Sequence, residues 1–121
     1  MRQKNINRKN RLRLKRKISI RKRVKGTAER PRMTIYKSNK YVYIQVIDDI
    51  KGHTLVSVSN LEKALRDVKN TIDKVGQLGE LAGKRLKENK ISKIVFDRNG
   101  YKYHGIIKTI AEATRKAGIN F

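Results

Sequence analysis

The sequence predicts an α/β fold, in which a basic N-terminal arm precedes a four-stranded mixed sheet with packed helices, in the order three-strand meander, helix, strand, helix. Three observations predict it. Between Arg32 and Ser59 apolar and polar residues alternate at period two, interrupted by turn-forming clusters. Between Thr71 and Ala117 two segments of helical period enclose one short apolar run. Ahead of both, positive charge is concentrated in a stretch that has neither pattern. The 121 residues suit one domain with a single modest core.

The charge bounds the partners. Lys and Arg number 32 against 10 Asp and Glu, for a net charge of +22. Residues 1–32 hold 15 of the basic residues and one acid, Glu29, whereas residues 33–121 hold 17 basic residues and 9 acids. Such a charge repels itself unless a polyanion neutralises it, which points first to nucleic acid and second to an anionic membrane. Without cysteine there is no disulfide frame and no thiolate metal site. No apolar run is long enough to span a membrane, and no apolar region follows the basic start as in a secretory signal. Mitochondrial transit peptides share a basic, acid-free start but are Ser-rich, and this one has only Ser19. An intracellular protein is expected.

The arm, residues 1–29, ends at the breakers Gly26 and Pro31, and Pro31 biases Arg30 towards an extended backbone. Its apolar residues Leu12, Leu14, Ile18, Ile20 and Val24 scatter around a helical wheel, so no amphipathic stripe would dock a helix on a membrane or on the domain. Close-packed like charges favour an arm that is loose when free and orders on a polyanion. With 13 cations and no acid in the first 25 residues, nucleic acid is preferred to a solubilising tail.

The globular domain, residues 30–121, opens with strands over Arg32 to Lys37, Lys40 to Ile47 and His53 to Ser59. Ser38-Asn39 and Asp48 to Gly52 supply the turns. Val42, Ile44 and Val46 share one face with the core, while Tyr41, Tyr43 and Gln45 share the other. After a short helical piece in Leu61 to Val68, a helix is expected from Thr71 to Glu88, with Asn70 as N-cap and Asp73 in the first turn. Gly76, Gly79 and Gly83 fall on its inner face and cost about 1 kcal/mol each against alanine. Their alignment predicts a backbone lying close on the sheet. Ile91 to Asp97 reads as a buried strand, and Ile106 to Ala117 as a last helix with Ile107, Ile110, Thr114 and Ala117 inward. Arg115 and Lys116 suit its C-terminal dipole and Gly118 its C′ position.

Between the last strand and the last helix lies "FDRNGYKYHG", residues 96–105. Ligands bind at such strand-to-helix junctions in open sheets, so an enzyme must be weighed. Asp97 and His104 could pair as acid and base, but the loop holds no Ser or Cys nucleophile and no second acid. A metal site would need His53, His104, Asp48, Asp49 and Asp97 to converge. There is no GxxxxGK[ST] or GxGxxG motif. Absence of these parts argues against an enzyme, whether nuclease or phosphotransfer, and no cofactor or metal is expected. Binding fits the composition: Arg98 and Lys102 can meet phosphates, Tyr101 and Tyr103 can stack on bases, and His104 can stack or donate a hydrogen bond. Packing of both tyrosines on the sheet, with His104 capping the helix, is the structural alternative. Asp97 would repel phosphate and is expected to hold the turn or Arg98.

"FDRNGYKYHG", the closing "EATRKAGINF" and the meander "RPRMTIYKSNKYVYIQVIDDIKGHTLVSVSN" resemble the bacterial 5S-rRNA-binding family of large-subunit ribosomal protein eighteen, and the basic arm matches its N-terminus. The resemblance covers essentially the whole chain. It departs at Leu61 to Lys74, which looks shorter and more polar than the family's link to the helix, and at Met33-Thr34, where a more apolar pair is common. It implies a ribonuclease-H-like arrangement without catalytic acids. It implies a structural constituent of the large ribosomal subunit, cytoplasmic or in an organellar ribosome, and neither membrane-bound nor a homo-oligomer. The implied partners are 5S rRNA, 23S rRNA and neighbouring large-subunit proteins, with 5S rRNA seated in the central protuberance.

RNA contact carries onto matching positions of this chain. In the arm these are Arg2, Lys4, Arg8, Lys9, Arg11 and Arg13, then Lys15, Arg16, Lys17, Arg21, Lys22, Arg23 and Lys25. Around the first strand and turn they are Arg30, Arg32, Tyr36, Lys37 and Lys40, with Tyr41 and Tyr43 beside them. In the loop they are Arg98, Tyr101, Lys102, Tyr103 and His104.

Overall fold

The alternation read in the meander becomes three antiparallel strands, β1 (Arg32–Lys37), β2 (Val42–Asp48) and β3 (His53–Ser59). They belong to a computed structural model that describes residues 2–121; the side chains of residues 2–9 and 21–23 lie outside the described set. A fourth strand, β4 (Val95–Asp97), runs parallel to β1, so the order across the mixed sheet is β3-β2-β1-β4. Three helices complete the fold: α1 (Arg2–Arg23), α2 (Ile72–Glu88) and α3 (Ile106–Lys116). The α/β class and element order follow the sequence reading.

Period-two alternation sorts the two sheet faces. Met33 pairs with Val46 and Ile35 with Ile44, and all four are fully buried, as are Val42 and Val58. Against them pack Val75, Leu78, Ala82 and Leu86 of α2 and Ile107 and Ile110 of α3. Burying a Leu, Ile or Val side chain contributes about 1.5–3 kcal/mol, so this face is the main stabilising layer. The opposite face carries Thr34, Tyr36, Tyr43 and Gln45, with the Tyr36 and Tyr43 rings 5.9 Å apart. The register slips between Val46 and Ile47, where Leu55 has no partner and makes a β-bulge.

Several boundaries moved, each for a local reason. β2 starts at Val42 because the Ser38 N–H bonds the Tyr41 carbonyl and keeps Lys40 in the turn. β4 has three residues rather than seven. Upstream, the Ile94 N–H bonds the Asn120 carbonyl and the Asn120 N–H bonds the Ser92 carbonyl, so residues 92–94 pair with the chain's end. Between Leu61 and Val68 only a 3-10 turn, Lys63–Leu65, forms. Thr71, not Asn70, is the α2 N-cap, and the Asn70 amide donates to the Ser38 carbonyl.

Two of the three glycines of α2, Gly79 and Gly83, mark a close backbone approach, but to α3 and not to the sheet, whereas a Cβ on Gly76 would make only an ordinary contact with Thr109 at 3.8 Å. A Cβ on Gly79 would sit 2.4 Å from the Ile110 carbonyl oxygen, and one on Gly83 would sit 2.4 Å from the Ala117 Cβ. The Thr114 hydroxyl fills the seam, 3.0 Å from the Gly79 oxygen and 2.9 Å from the Ile110 oxygen. At the end of α3, Gly118 takes φ 101°, the left-handed C′ conformation its position predicted.

Residues 2–23 are helical in the structure although no apolar stripe marks them. Their docking uses guanidinium groups and backbone, which hydrophobic periodicity does not register. After α1 the chain enters the domain at Gly26, whose N–H donates to the Asp49 carboxylate at 2.7 Å. A Cβ there would lie 2.4 Å from both the Arg32 nitrogen and the Ile47 oxygen.

Candidate nucleic-acid interface

The loop between β4 and α3 is shaped from its first residue. Asp97 is fully buried, and its carboxylate accepts the Asn99 N–H at 2.8 Å, closing an Asx turn. Asn99 and Gly100 then take left-handed φ values of 54° and 78°. The Asn99 amide donates to the Ile35 carbonyl and pins the turn to β1. Arg98 bonds the Tyr101 carbonyl at 2.8 Å, so part of its donor capacity holds the loop.

Asp97 also grips Arg32, at 2.7 Å. The other side of that guanidinium meets Asp49 twice, at 2.9 and 3.0 Å. Burial opposes charge on Arg32, but the hydrogen bonds it donates to Asp49 and Asp97 outweigh it and raise its pKa above the ordinary value. Two of the acids weighed for a metal site therefore do converge, but on a guanidinium supplied by the chain. The third, Asp48, accepts the Ile50 and Lys51 N–H groups of its own turn. Among the described residues no three His, Cys, Asp or Glu side chains gather as a metal-binding set. Arg32, read as an RNA contact, is only 5% exposed and committed to two carboxylates. Its role in the structure is to tie the start of β1 to the loop.

Helix α1 crosses this loop. The Arg16 Nε donates to the Gly100 carbonyl at 2.9 Å. The Arg13 guanidinium stacks 4.1 Å from the Tyr101 ring centre, and the Lys37 ammonium lies 5.4 Å from the same ring. Tyr101 in turn uses its hydroxyl on the β1 backbone, accepting the Lys37 N–H at 3.3 Å and donating to the Lys37 carbonyl at 3.2 Å. Gly100 is required here twice over: its φ favours glycine, and a Cβ would meet the Arg13 carbonyl at 2.6 Å.

The remaining predicted residues stay accessible. Arg11, Lys15, Lys25, Arg30, Lys40, Lys102 and His104 are exposed, and Arg13, Arg16, Lys17, Lys37 and Arg98 are half-buried. Tyr36 is 49% exposed, Tyr41 38% and Tyr103 40%, and the Tyr103 ring stands edge-on to Phe96. Arg2, Lys4, Arg8, Lys9, Arg21, Lys22 and Arg23 have side chains outside the described residues. Between α1 and the loop runs an open groove of about 740 Å³, lined by Arg13, Arg16, Lys37, Tyr101, Lys102 and His104 among others. No acid lines it. Sequence reasoning did not include Asn10, Thr71 and Ile72, which line the same groove. Their proximity depends on α1 and the start of α2 meeting at the loop, which no local pattern encodes.

The family model described as ribosomal L18 of archaea, bacteria, mitochondria and chloroplast matches residues 7–121. A protein of Treponema denticola named large ribosomal subunit protein uL18 is 55% identical over 115 residues, 95% of this chain and 96% of its own length. Proteins of the same name are 62% identical over 108 residues in Borrelia duttonii, covering 88% of this chain and 90% of that one, and 54% identical over 114 residues in Caldanaerobacter subterraneus, covering 93% and 94%.

Proposed function

Because the chain belongs to the ribosomal L18 family, a structural and not an enzymatic family of the large ribosomal subunit, we propose that it binds 5S rRNA and helps attach it to 23S rRNA in the central protuberance. Neighbouring large-subunit proteins complete its surroundings, in a cytoplasmic ribosome. The observation that carries this reading is the groove between α1 and the 98–105 loop, where Arg13, Arg16, Lys37 and Lys102 face one opening with Tyr101 and His104 and, among the described residues, no acid lines it. Phosphate contacts from Arg11, Lys15, Lys25, Arg30, Lys40 and Lys102 supply most of the affinity. Tyr36, Tyr103 and His104 meet bases or riboses of unpaired nucleotides. Arg13, Arg16 and Tyr101 hold the arm on the loop, and Arg32 holds the loop on the sheet.

The chain divides into an arm, residues 1–29, that is loose without RNA, and a domain, residues 30–121, that folds alone. Like charges at helical spacing destabilise α1 in isolation, and phosphate relieves them. The test is a binding titration with 5S rRNA against salt. With about six phosphates neutralised, affinity falls roughly a thousandfold between 50 and 200 mM salt. A flat response, or equal affinity for bulk duplex RNA, would overturn the assignment.

A further inference from the structure

A second groove, of about 590 Å³, opens at the end of the sheet where β1 turns into β2. Among the described residues its charged lining residues are Lys40, Arg66 and Lys69, all exposed, and no acid lines it. Asp67 and Asp73 flank these residues in sequence without lining the groove. Tyr41 and Leu61 stand at its wall, 38% and 43% exposed. The cations come from segments distant in sequence, and one buried side chain brings them together. The Asn60 amide donates to the Lys40 carbonyl at 3.1 Å and to the Val68 carbonyl at 3.0 Å, while its oxygen accepts the Val42 N–H at 2.9 Å. Asn60 is 4% exposed, so the turn bearing Lys40 and the segment bearing Arg66 and Lys69 are fixed to one point. Thr71 lines both this groove and the one beside α1.

We propose that the two grooves form one continuous RNA track, in which Lys40, Arg66 and Lys69 take successive phosphates of the strand leaving the α1–loop groove across Thr71. The extension rests on the RNA-binding reading of the first groove. Complementary charge selects a polyanion, and an aromatic ring beside fixed cations suits a single-stranded or looped backbone whose base can stack on Tyr41. Asn60 is a positioning residue and touches no RNA.

The test compares Arg66→Ala/Lys69→Ala with Lys84→Ala/Lys87→Ala, which removes two cations from another cleft along α2. Both are titrated with 5S rRNA over a range of salt, and folding is checked by circular dichroism. The expected result is a salt slope shallower by roughly 2 for the first variant, with weaker affinity, and an unchanged slope for the second. If the first variant binds as the wild type does while Lys102→Ala weakens binding, the extension is overturned and the first groove stands. If its RNA binding is normal but its incorporation into the large subunit falls, the surface belongs to a protein neighbour and the proposal fails. A wild-type chain without preference for 5S rRNA would overturn both readings together.

Discussion

Arg32 and Asp97 lie on neighbouring parallel strands with guanidinium and carboxylate 2.7 Å apart, their side chains 6% and 1% exposed. Removing one partner of such a pair strands the other in a low-dielectric interior, which costs about 3–5 kcal/mol. Arg32→Ala is therefore expected to lose that much in urea unfolding, a large share of a domain's usual stability. Where the variant remains folded, its salt slope for RNA binding stays at the wild-type value, because no phosphate contact has been lost. A lower slope with unchanged stability would return Arg32 to the RNA surface.

The tyrosines of the loop separate in the same way. Tyr101→Phe keeps the ring under Arg13 and loses the hydroxyl that meets the backbone N–H and carbonyl of Lys37. It is expected to cost about 1 kcal/mol of stability and to leave RNA selectivity intact. Tyr103→Leu keeps an apolar contact for Phe96 but removes an aromatic face. It is expected to leave the fold in place and to lower the preference for 5S rRNA over duplex by about 1–3 kcal/mol, the value of one stacked base. Competition binding of both variants distinguishes the two roles.

Gly100→Ala tests the docking of α1. The added methyl is disfavoured at φ 78° and collides with the Arg13 backbone, so α1 lifts from the loop while the β4–α3 core persists. In the 5S rRNA complex, where the arm is ordered, limited trypsin digestion is expected to cut it faster in this variant than in the wild type, and affinity for 5S rRNA is expected to fall. Equal cleavage rates would show that Gly100 does not seat the helix.

Glu62 and Arg85 make a two-pronged pair, with contacts of 2.8 and 3.0 Å. The Arg85 hydrogen bonds hold the Glu62 carboxyl below its ordinary 4.5. A depressed folded-state pKa adds stability that is fully present above the unfolded value and is lost as pH falls through the folded one. Both side chains are about one-third exposed, so solvent screens the pair and the effect is modest. Urea midpoints of wild type and Arg85→Ala are expected to differ at about pH 6 and to converge towards about pH 3. A constant difference across that range would remove the charge pairing as its cause.

What the sequence disclosed depended on how local the cause was. Val42, Ile44 and Val46 announced β2 because alternation needs only one strand to be visible. Gly79 and Gly83 announced a close approach, but Ala113 and Ala117, which receive it, lie more than thirty residues on and could not be matched from spacing. Arg32 read as a phosphate ligand because nothing near it showed Asp49 and Asp97 arriving. The α1 dock escaped for a related reason: a guanidinium over Tyr101 and a bond to a Gly100 carbonyl leave no hydrophobic period in the arm. The loop itself was legible in composition, whereas the division of its residues between holding the turn and facing solvent required the partners.

The carboxylates around Arg32 also set an order of events during synthesis. Asp49 lies 17 residues beyond Arg32 and Asp97 lies 65 residues beyond it. A chain made from its N-terminus exposes the basic arm first, when the nearest abundant polyanion is the ribosome that is making it. Asp49 can neutralise Arg32 once the meander has emerged, but Asp97 arrives only with roughly the last quarter of the chain. Closing so long a loop is slow compared with forming hairpins. The nascent protein thus completes the 98–105 loop last, after its most basic segment has been exposed longest, and early capture of that segment by an assembly partner or a chaperone would prevent binding to the wrong polyanion.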